Sequence, residues 1–228
     1  MAAPKRIMVL GHSHVRRLND VIHSDFGVNP QQAVIRSYGQ GGLCIPGLFS
    51  NNIINMLRNF QPEFLILMIG DNDIAPSVRT SHDVAAHNIV DNLFNAILTL
   101  QSTVSSIQQV FSWQLLPCHP GAYFRPGYND IALKINNILL QSAVAAEQRL
   151  LRVFRFRDFC FPQESELKRQ RYLRNRRLFR SDGTHLTTYG YRRLRRAMRA
   201  VVFACISPNW CYFPLLFHFH AFFLYINI

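Results

Sequence analysis

Short apolar runs alternate with longer segments of helical periodicity through most of the chain. The apolar, β-branched-rich runs predict strands at 6–11, 33–38, 64–70, 108–116 and 151–157. Apolar residues spaced three and four apart predict helices at 15–23, 45–59, 83–103, 130–148 and 187–205. Regular alternation of strand and helix is typical of a parallel sheet covered by helices on both faces. The sequence therefore predicts an α/β fold, a three-layer α/β/α sandwich with a parallel sheet of about five strands.

Length and composition indicate one folded domain followed by a different tail. The 228 residues suffice for one well-buried α/β domain and are few for two. Residues 207–228 are aromatic and uncharged, and Pro208 and Pro214 interrupt any regular pattern. A membrane helix needs about 20 predominantly apolar residues, and this tail only just reaches that length. We therefore predict a domain over 1–206 and an unstructured or non-native tail over 207–228 without a membrane partner; a protein tethered to a membrane by this tail is the alternative.

The cysteines and the N-terminus bear on the cellular compartment. Five cysteines, at 44, 118, 160, 205 and 211, form no CxxC pair, and one stays unpaired in any disulfide scheme. The apolar run that follows Lys5 and Arg6 ends at Leu10, which is too short for the core of a secretion signal. We therefore expect an intracellular protein, reduced and cytoplasmic.

Small and polar residues follow the predicted strands in separate blocks. These blocks are Gly11-His12-Ser13, Gly41-Gly42, Gly70-Asp71-Asn72-Asp73 and Asp182-Gly183-Thr184-His185. Because ligands bind beyond the carboxyl ends of the strands in an open α/β sheet, we expect the blocks to meet at one edge. A serine, a histidine with a carboxylate, and amide donors together could perform nucleophilic acyl transfer.

Each residue also has an ordinary structural interpretation. Ser13 could simply cap a helix, and Asp182 could form an Asx turn beside a solvent-facing His185. Asn72 could belong to a tight turn, and Gly41 competes with Gly42 for the position of a backbone donor. His12 and His14 flank Ser13, but adjacent residues on such a turn point in different directions. We therefore expect neither to be its base.

Taken together, the blocks resemble those of the SGNH hydrolases, the GDSL-like esterase and lipase superfamily, over about residues 6–200. The resemblance implies a flavodoxin-like sandwich with Ser13 as nucleophile, His185 as base and Asp182 as its partner. It also implies an oxyanion hole made by the Ser13 N–H, the Gly42 N–H and the Asn72 amide. A small-molecule or lipid-like ester is the implied substrate, without cofactor or metal. One difference is that His12 stands where the family usually has Asp.

The positive charge of the chain is confined to one segment. Residues 149–199 hold 16 Lys and Arg against 4 Asp and Glu, which equals the net charge of +12 of the whole chain. This segment includes Arg169, Arg171, Arg174, Arg176, Arg177 and Arg180, with a second cluster at Arg192, Arg193, Arg195, Arg196 and Arg199. A solvated basic face is the ordinary interpretation. Arginines interleaved with Tyr172 and Phe179 also suit phosphates and bases. The alternative function is therefore a weakly active or inactive SGNH-fold module that binds nucleic acid.

Overall fold

Five parallel strands form the centre of the molecule. The computed structural model describes residues 3–21, 26–74, 80–123, 125–145, 151–154, 156 and 158–206. The strands are β1 (Lys5–Gly11), β2 (Ala33–Gly39), β3 (Phe64–Met68), β4 (Gln109–Trp113) and β5 (Leu151–Phe154). All pair in parallel in the order β2-β1-β3-β4-β5. This is the flavodoxin-like order, and its reversal point lies between β1 and β3.

Helices cover both faces of the sheet. They are α1 (Ser13–Val21), α2 (Asn51–Phe60), α3 (His82–Thr103), α4 (Tyr128–Ala145), α5 (Glu166–Arg174) and α6 (Thr188–Ile206). The side chains of Met8 and Leu10 face a core formed with α2, α3 and α4, and those of Ile7 and Val9 face a core formed with α1 and α6. The three-layer α/β/α prediction is therefore confirmed.

One helix prediction was wrong in detail, and one helix was missed. The predicted helix at 45–59 is a 3₁₀ turn (Ile45–Phe49) followed by α2, because Pro46 and Gly47 favour a turn and Ser50 adopts extended backbone angles. Helix α5 was not predicted, because Tyr172 is its single buried residue and it shows little apolar periodicity. Its start was nonetheless visible, since Ser165 caps the helix by accepting a hydrogen bond from the Lys168 N–H.

The remaining chain-level predictions fall partly outside the described residues. The tail at 207–228 lies outside them, and so do 146–148 of the predicted fourth helix. Within the part of the chain that the structure describes, no helix has both the length and the apolar character needed to cross a membrane. Cys44, Cys118, Cys160 and Cys205 are all free thiols.

Candidate active site

Ser13 lies where β1 passes directly into α1. Gly11, the last residue of β1, packs so closely on β3 that a Cβ there would lie 2.3 Å from the Met68 carbonyl oxygen. Ser13 is the first residue of α1, so its side chain is at a helix N-terminus, where the helix dipole favours negative charge. The reversal point of the sheet thus presents a serine hydroxyl at the edge where ligands bind in such folds.

Ser13, His185 and Asp182 form a continuous polar chain. The Ser13 Oγ lies 3.4 Å from His185 Nε2, and His185 Nδ1 lies 2.9 Å from Asp182 Oδ2. Asp182 Oδ1 also accepts hydrogen bonds from the backbone N–H groups of Thr184 and His185, at 2.9 and 2.8 Å. Burial raises the pKa of Asp182, but the hydrogen bonds from His185 and Thr184 outweigh it and lower that pKa below its usual value. Asp182 is therefore a carboxylate that fixes the orientation of the His185 ring.

The loop that carries Asp182 and His185 is held by close backbone packing. The His119 N–H donates to the Gly183 carbonyl at 2.8 Å, and the Arg180 N–H donates to the His185 carbonyl at 2.7 Å. Gly183 has φ +77°, and a Cβ there would lie 1.9 Å from the His119 carbonyl oxygen. Gly121 is also closely packed, since a Cβ added there would lie 2.4 Å from the Asp182 carbonyl carbon. The loop after β4 therefore serves as a rigid support for the His185 loop.

Asn72 and Gly42 lie close together beside β3. The Asn72 Nδ2 donates to the carbonyl of Leu43 at 2.9 Å, and Leu43 directly follows Gly42. Gly42 has φ +74° and open space where a Cβ would be. Since an amide nitrogen carries two N–H donors, the bond to Leu43 leaves the second for another acceptor. Asp73 fixes the adjacent turn by accepting from the Ile45 N–H at 3.0 Å.

A contact beside Ser13 between the buried His12 and the partly buried Asp71 was missed by sequence reasoning. His12 Nε2 lies 2.6 Å from Asp71 Oδ2, and the Tyr128 hydroxyl donates to Asp71 Oδ1 at 2.5 Å. Burial raises the pKa of Asp71, but the charge interaction with His12, followed by the hydrogen bonds from His12 and Tyr128, lowers it to about 2. The signal was present in the sequence, because His12 and Asp71 both belong to the blocks that follow β1 and β3.

The histidines that flank Ser13 are engaged elsewhere. His12 pairs with Asp71, and His14 Nδ1 lies 3.2 Å from the hydroxyl of Tyr191. Burial, with a smaller contribution from the neighbouring His12, lowers the pKa of His14 to about 3. His185 is thus the histidine whose ring nitrogen faces the Ser13 hydroxyl.

A small cavity opens beside Ser13. Its volume is about 40 Å³, and its lining includes Ser13, Asn72, Cys118, Arg125 and Thr184. The Arg125 guanidinium donates to the carbonyls of Ile74 and Asp71 at 2.7 and 3.2 Å, which fixes its position in the cavity lining. Among the described residues, no group of three or more His, Cys, Asp or Glu side chains is arranged to hold a metal ion.

The six arginines that sequence analysis singled out have different environments. Arg176 donates to the carbonyls of Phe179, Arg180 and Pro120, and Arg180 Nε donates to the Leu186 carbonyl at 3.1 Å. These two therefore support the His185 loop. Arg169 lies 3.6 Å from Glu166, and the remaining three, Arg171, Arg174 and Arg177, have exposed side chains.

Comparisons with known proteins place this architecture in a structural class. No protein-family model matches the chain, and no curated protein sequence matches it. Solved structures of GDSL-like lipases, acylhydrolases and esterases do match, with 14–19% sequence identity. The chain thus has the fold of the SGNH hydrolases, as the resemblance of its sequence blocks implied.

Three of these structures illustrate the similarity. A carbohydrate acetylesterase from Sinorhizobium meliloti matches with a TM-score of 0.58 and 14% identity, over 88% of this chain and 99% of that chain. A lipolytic protein of the G-D-S-L family from Veillonella parvula matches with a TM-score of 0.56 and 18% identity, over 87% of this chain and 97% of that chain. A catalytic mutant of an acetylxylan esterase from Geobacillus stearothermophilus matches with a TM-score of 0.54 and 14% identity, over 92% of this chain and 97% of that chain.

Proposed function

We propose that the protein is a serine ester hydrolase of SGNH type. The observation that carries the proposal is the series of polar contacts from Ser13 through His185 to Asp182. Ser13 Oγ lies 3.4 Å from His185 Nε2, and His185 Nδ1 lies 2.9 Å from Asp182 Oδ2. A serine hydroxyl is a weak nucleophile until an adjacent base accepts its proton. In the proposed mechanism His185 is that base, and Asp182 is the carboxylate that orients it.

The reaction follows from this arrangement in two stages. The Ser13 Oγ attacks the ester carbonyl carbon while His185 Nε2 accepts its proton, and His185 then protonates the departing alcohol oxygen. Water next attacks the acyl-enzyme, with His185 accepting a proton from the water and returning it to Ser13 Oγ. Asp182 stabilises the imidazolium that forms in both stages.

The negative charge on the carbonyl oxygen needs fixed donors. The free N–H of the Asn72 amide, the Gly42 N–H and the Ser13 N–H are the proposed donors. Position supports the choice, since Asn72 lines the cavity with Ser13 and reaches the residue after Gly42. One such donor contributes about 10²- to 10³-fold in rate.

The proposed substrate is a small-molecule ester with a short acyl group. A cavity of about 40 Å³ beside Ser13, with Arg125 and Tyr128 in its lining, admits a small group. Two of the similar structures are by name an acetylesterase and an acetylxylan esterase, which agrees with a short acyl group.

Hydrolysis of a chromogenic acetyl ester by purified full-length protein tests the proposal. We expect wild type and the control Ser102→Ala to hydrolyse it, because Ser102 is exposed on α3, where its hydroxyl donates to the Thr99 carbonyl. Ser13→Ala should be inactive while unfolding at the same temperature as wild type. Turnover by Ser13→Ala at the wild-type rate would contradict the proposal.

A further inference from the structure

Helix α6 presents arginines and aromatic rings on one exposed side. The face consists of Tyr189, Arg192, Arg193, Arg196, Arg199 and Phe203, and we name it the α6 arginine face. At 3.6 residues per turn these positions fall within about 120° of the helix circumference and span about 21 Å. Helix α6 contains no Asp or Glu. Asp158 Oδ2 lies 3.5 Å from Arg193 Nη1, and one carboxylate against the four arginines leaves the face strongly positive.

Guanidinium groups and rings are interleaved on this face. The Arg193 guanidinium lies 5.4 Å from the Tyr189 ring centroid and donates to the Tyr189 hydroxyl, and Arg199 lies 5.1 Å from the ring of Phe203. Arg177, from the turn after α5, reaches the Tyr189 ring at 5.8 Å. Tyr189 is thus the point where the two basic clusters of the sequence meet.

The loop that carries Asp182 and His185 leads directly into the α6 arginine face. Thr187, two residues after His185, caps the start of α6, since its Oγ1 accepts from the Gly190 N–H at 3.1 Å. The side chain of Thr187 also lies 3.2 Å from the Leu178 carbonyl, which ties α6 to the turn that carries Arg177. The position of the arginines is therefore fixed by the same backbone that fixes the candidate active site.

We propose that the α6 arginine face binds single-stranded nucleic acid. Guanidinium groups bind phosphate oxygens in a bidentate manner, and exposed rings offer stacking surfaces for bases. Arg192, Arg196 and Arg199 are exposed, and Tyr189 and Phe203 are each 41% exposed. A regular row of such groups suits a polymer with one negative charge per nucleotide.

The packing of α6 argues against a lipid surface as the occupant. A helix that lies on a membrane inserts its apolar face into the lipid. The apolar face of α6, which includes Leu194, Met198 and Val201, is fully buried against the sheet. Phe203 is the large apolar side chain that remains exposed on the arginine face.

The proposal can be tested with a labelled oligouridine of about 20 nucleotides. Fluorescence anisotropy measures its binding to the full chain at several salt concentrations. The test variant is Arg192→Gln with Arg196→Gln, and the control is Arg6→Gln with Arg58→Gln. All four side chains are exposed, and both pairs remove the same charge. Circular dichroism and thermal unfolding check the folding of each variant.

We expect wild type to bind with an affinity that falls steeply as salt rises. The test variant should bind about tenfold more weakly, and its slope of log affinity against log salt should be smaller by about 1.4, since each phosphate contact contributes about 0.7 for a single strand. The control should lose less than about twofold, and Ser13→Ala should bind like wild type. Tyr189→Ala should also weaken binding, by about tenfold, through loss of stacking.

Three results would overturn the proposal. One is the absence of binding by wild type at about 50 mM salt. Another is an equal loss of affinity in the test and control variants, which would indicate a diffuse charge effect. The third is binding to phosphatidylserine vesicles without binding to the oligonucleotide.

Discussion

At the residue scale, Asp182 has two separable tasks. Its Oδ1 accepts two backbone N–H groups and so shapes the loop, while its Oδ2 accepts from His185 Nδ1 and so orients the ring. An asparagine at 182 can still accept the backbone hydrogen bonds through its oxygen. Its NH₂ group would face His185 Nδ1, however, and favour the tautomer with the wrong nitrogen protonated.

Asp182→Asn should therefore separate folding from catalysis. We expect kcat for a short-chain ester to fall by about 10³- to 10⁴-fold, with little change in KM, because the base would lose its orienting carboxylate. Steady-state kinetics measure the effect, and Asp91→Asn, at an exposed position on α3, is the control. A kcat within a fewfold of wild type would show that His185 does not depend on Asp182.

At the scale of elements, the loop that carries Asp182 and His185 is held in place by close backbone contact rather than by a buried core. Gly183 and Gly42 both have positive φ, +77° and +74°. They differ in the room available for a side chain. A Cβ at Gly183 would overlap the His119 carbonyl oxygen, whereas a Cβ at Gly42 would have no neighbouring atom within 4 Å. The two glycines thus form a natural pair for separating steric overlap from backbone strain.

Gly183→Ala should destabilise the protein more than Gly42→Ala. We expect a loss of about 1 kcal/mol in the free energy of unfolding for Gly42→Ala, from backbone strain alone. Gly183→Ala should lose at least about 3 kcal/mol, because the loops at 118–121 and 180–185 must separate. Urea denaturation of both variants measures the difference, and equal losses would mean that the loop contact contributes little.

At the scale of the whole molecule, two buried histidines make stability sensitive to acid. Burial, followed by the charge of Arg176, lowers the pKa of His119 to about 4, and burial lowers that of His14 to about 3. Both lie below the unfolded value of 6.5, so the unfolded chain takes up protons first as pH falls. Their contribution is fully present above pH 6.5 and decreases by about 1.4 kcal/mol per pH unit for each residue between pH 6.5 and its folded pKa, about 4 for His119 and about 3 for His14.

His119→Phe should reduce this acid sensitivity. A phenyl ring can keep the stacking on Tyr172, where the ring centroids are 3.9 Å apart, without binding a proton. We expect its loss of unfolding free energy between pH 7 and pH 4.5 to be about 2 kcal/mol smaller than that of wild type. The exposed control His87→Phe should behave like wild type, and an identical loss in all three proteins would contradict the account.

Sequence reasoning predicted the layers and strand positions because apolar periodicity reports directly on burial. It also predicted that Ser13, Asp182 and His185 would share one edge, and their catalytic roles remain predictions. The contact between His12 and Asp71 was missed although both residues belong to the blocks after β1 and β3, because it depends on how two side chains from different strand ends are oriented. Helix α5 was missed for the opposite reason, since capping and charge define it more than buried residues do.

Covalent labelling of the nucleophile tests the central claim most directly. Full-length protein would be treated with a fluorophosphonate, which reacts with activated serines, and the modified peptide identified by mass spectrometry. The account predicts one adduct on Ser13, absent from Ser13→Ala and much slower to form in Asp182→Asn, because activation requires the chain through His185. An unlabelled Ser13 in folded protein, or an adduct on another serine, would contradict it.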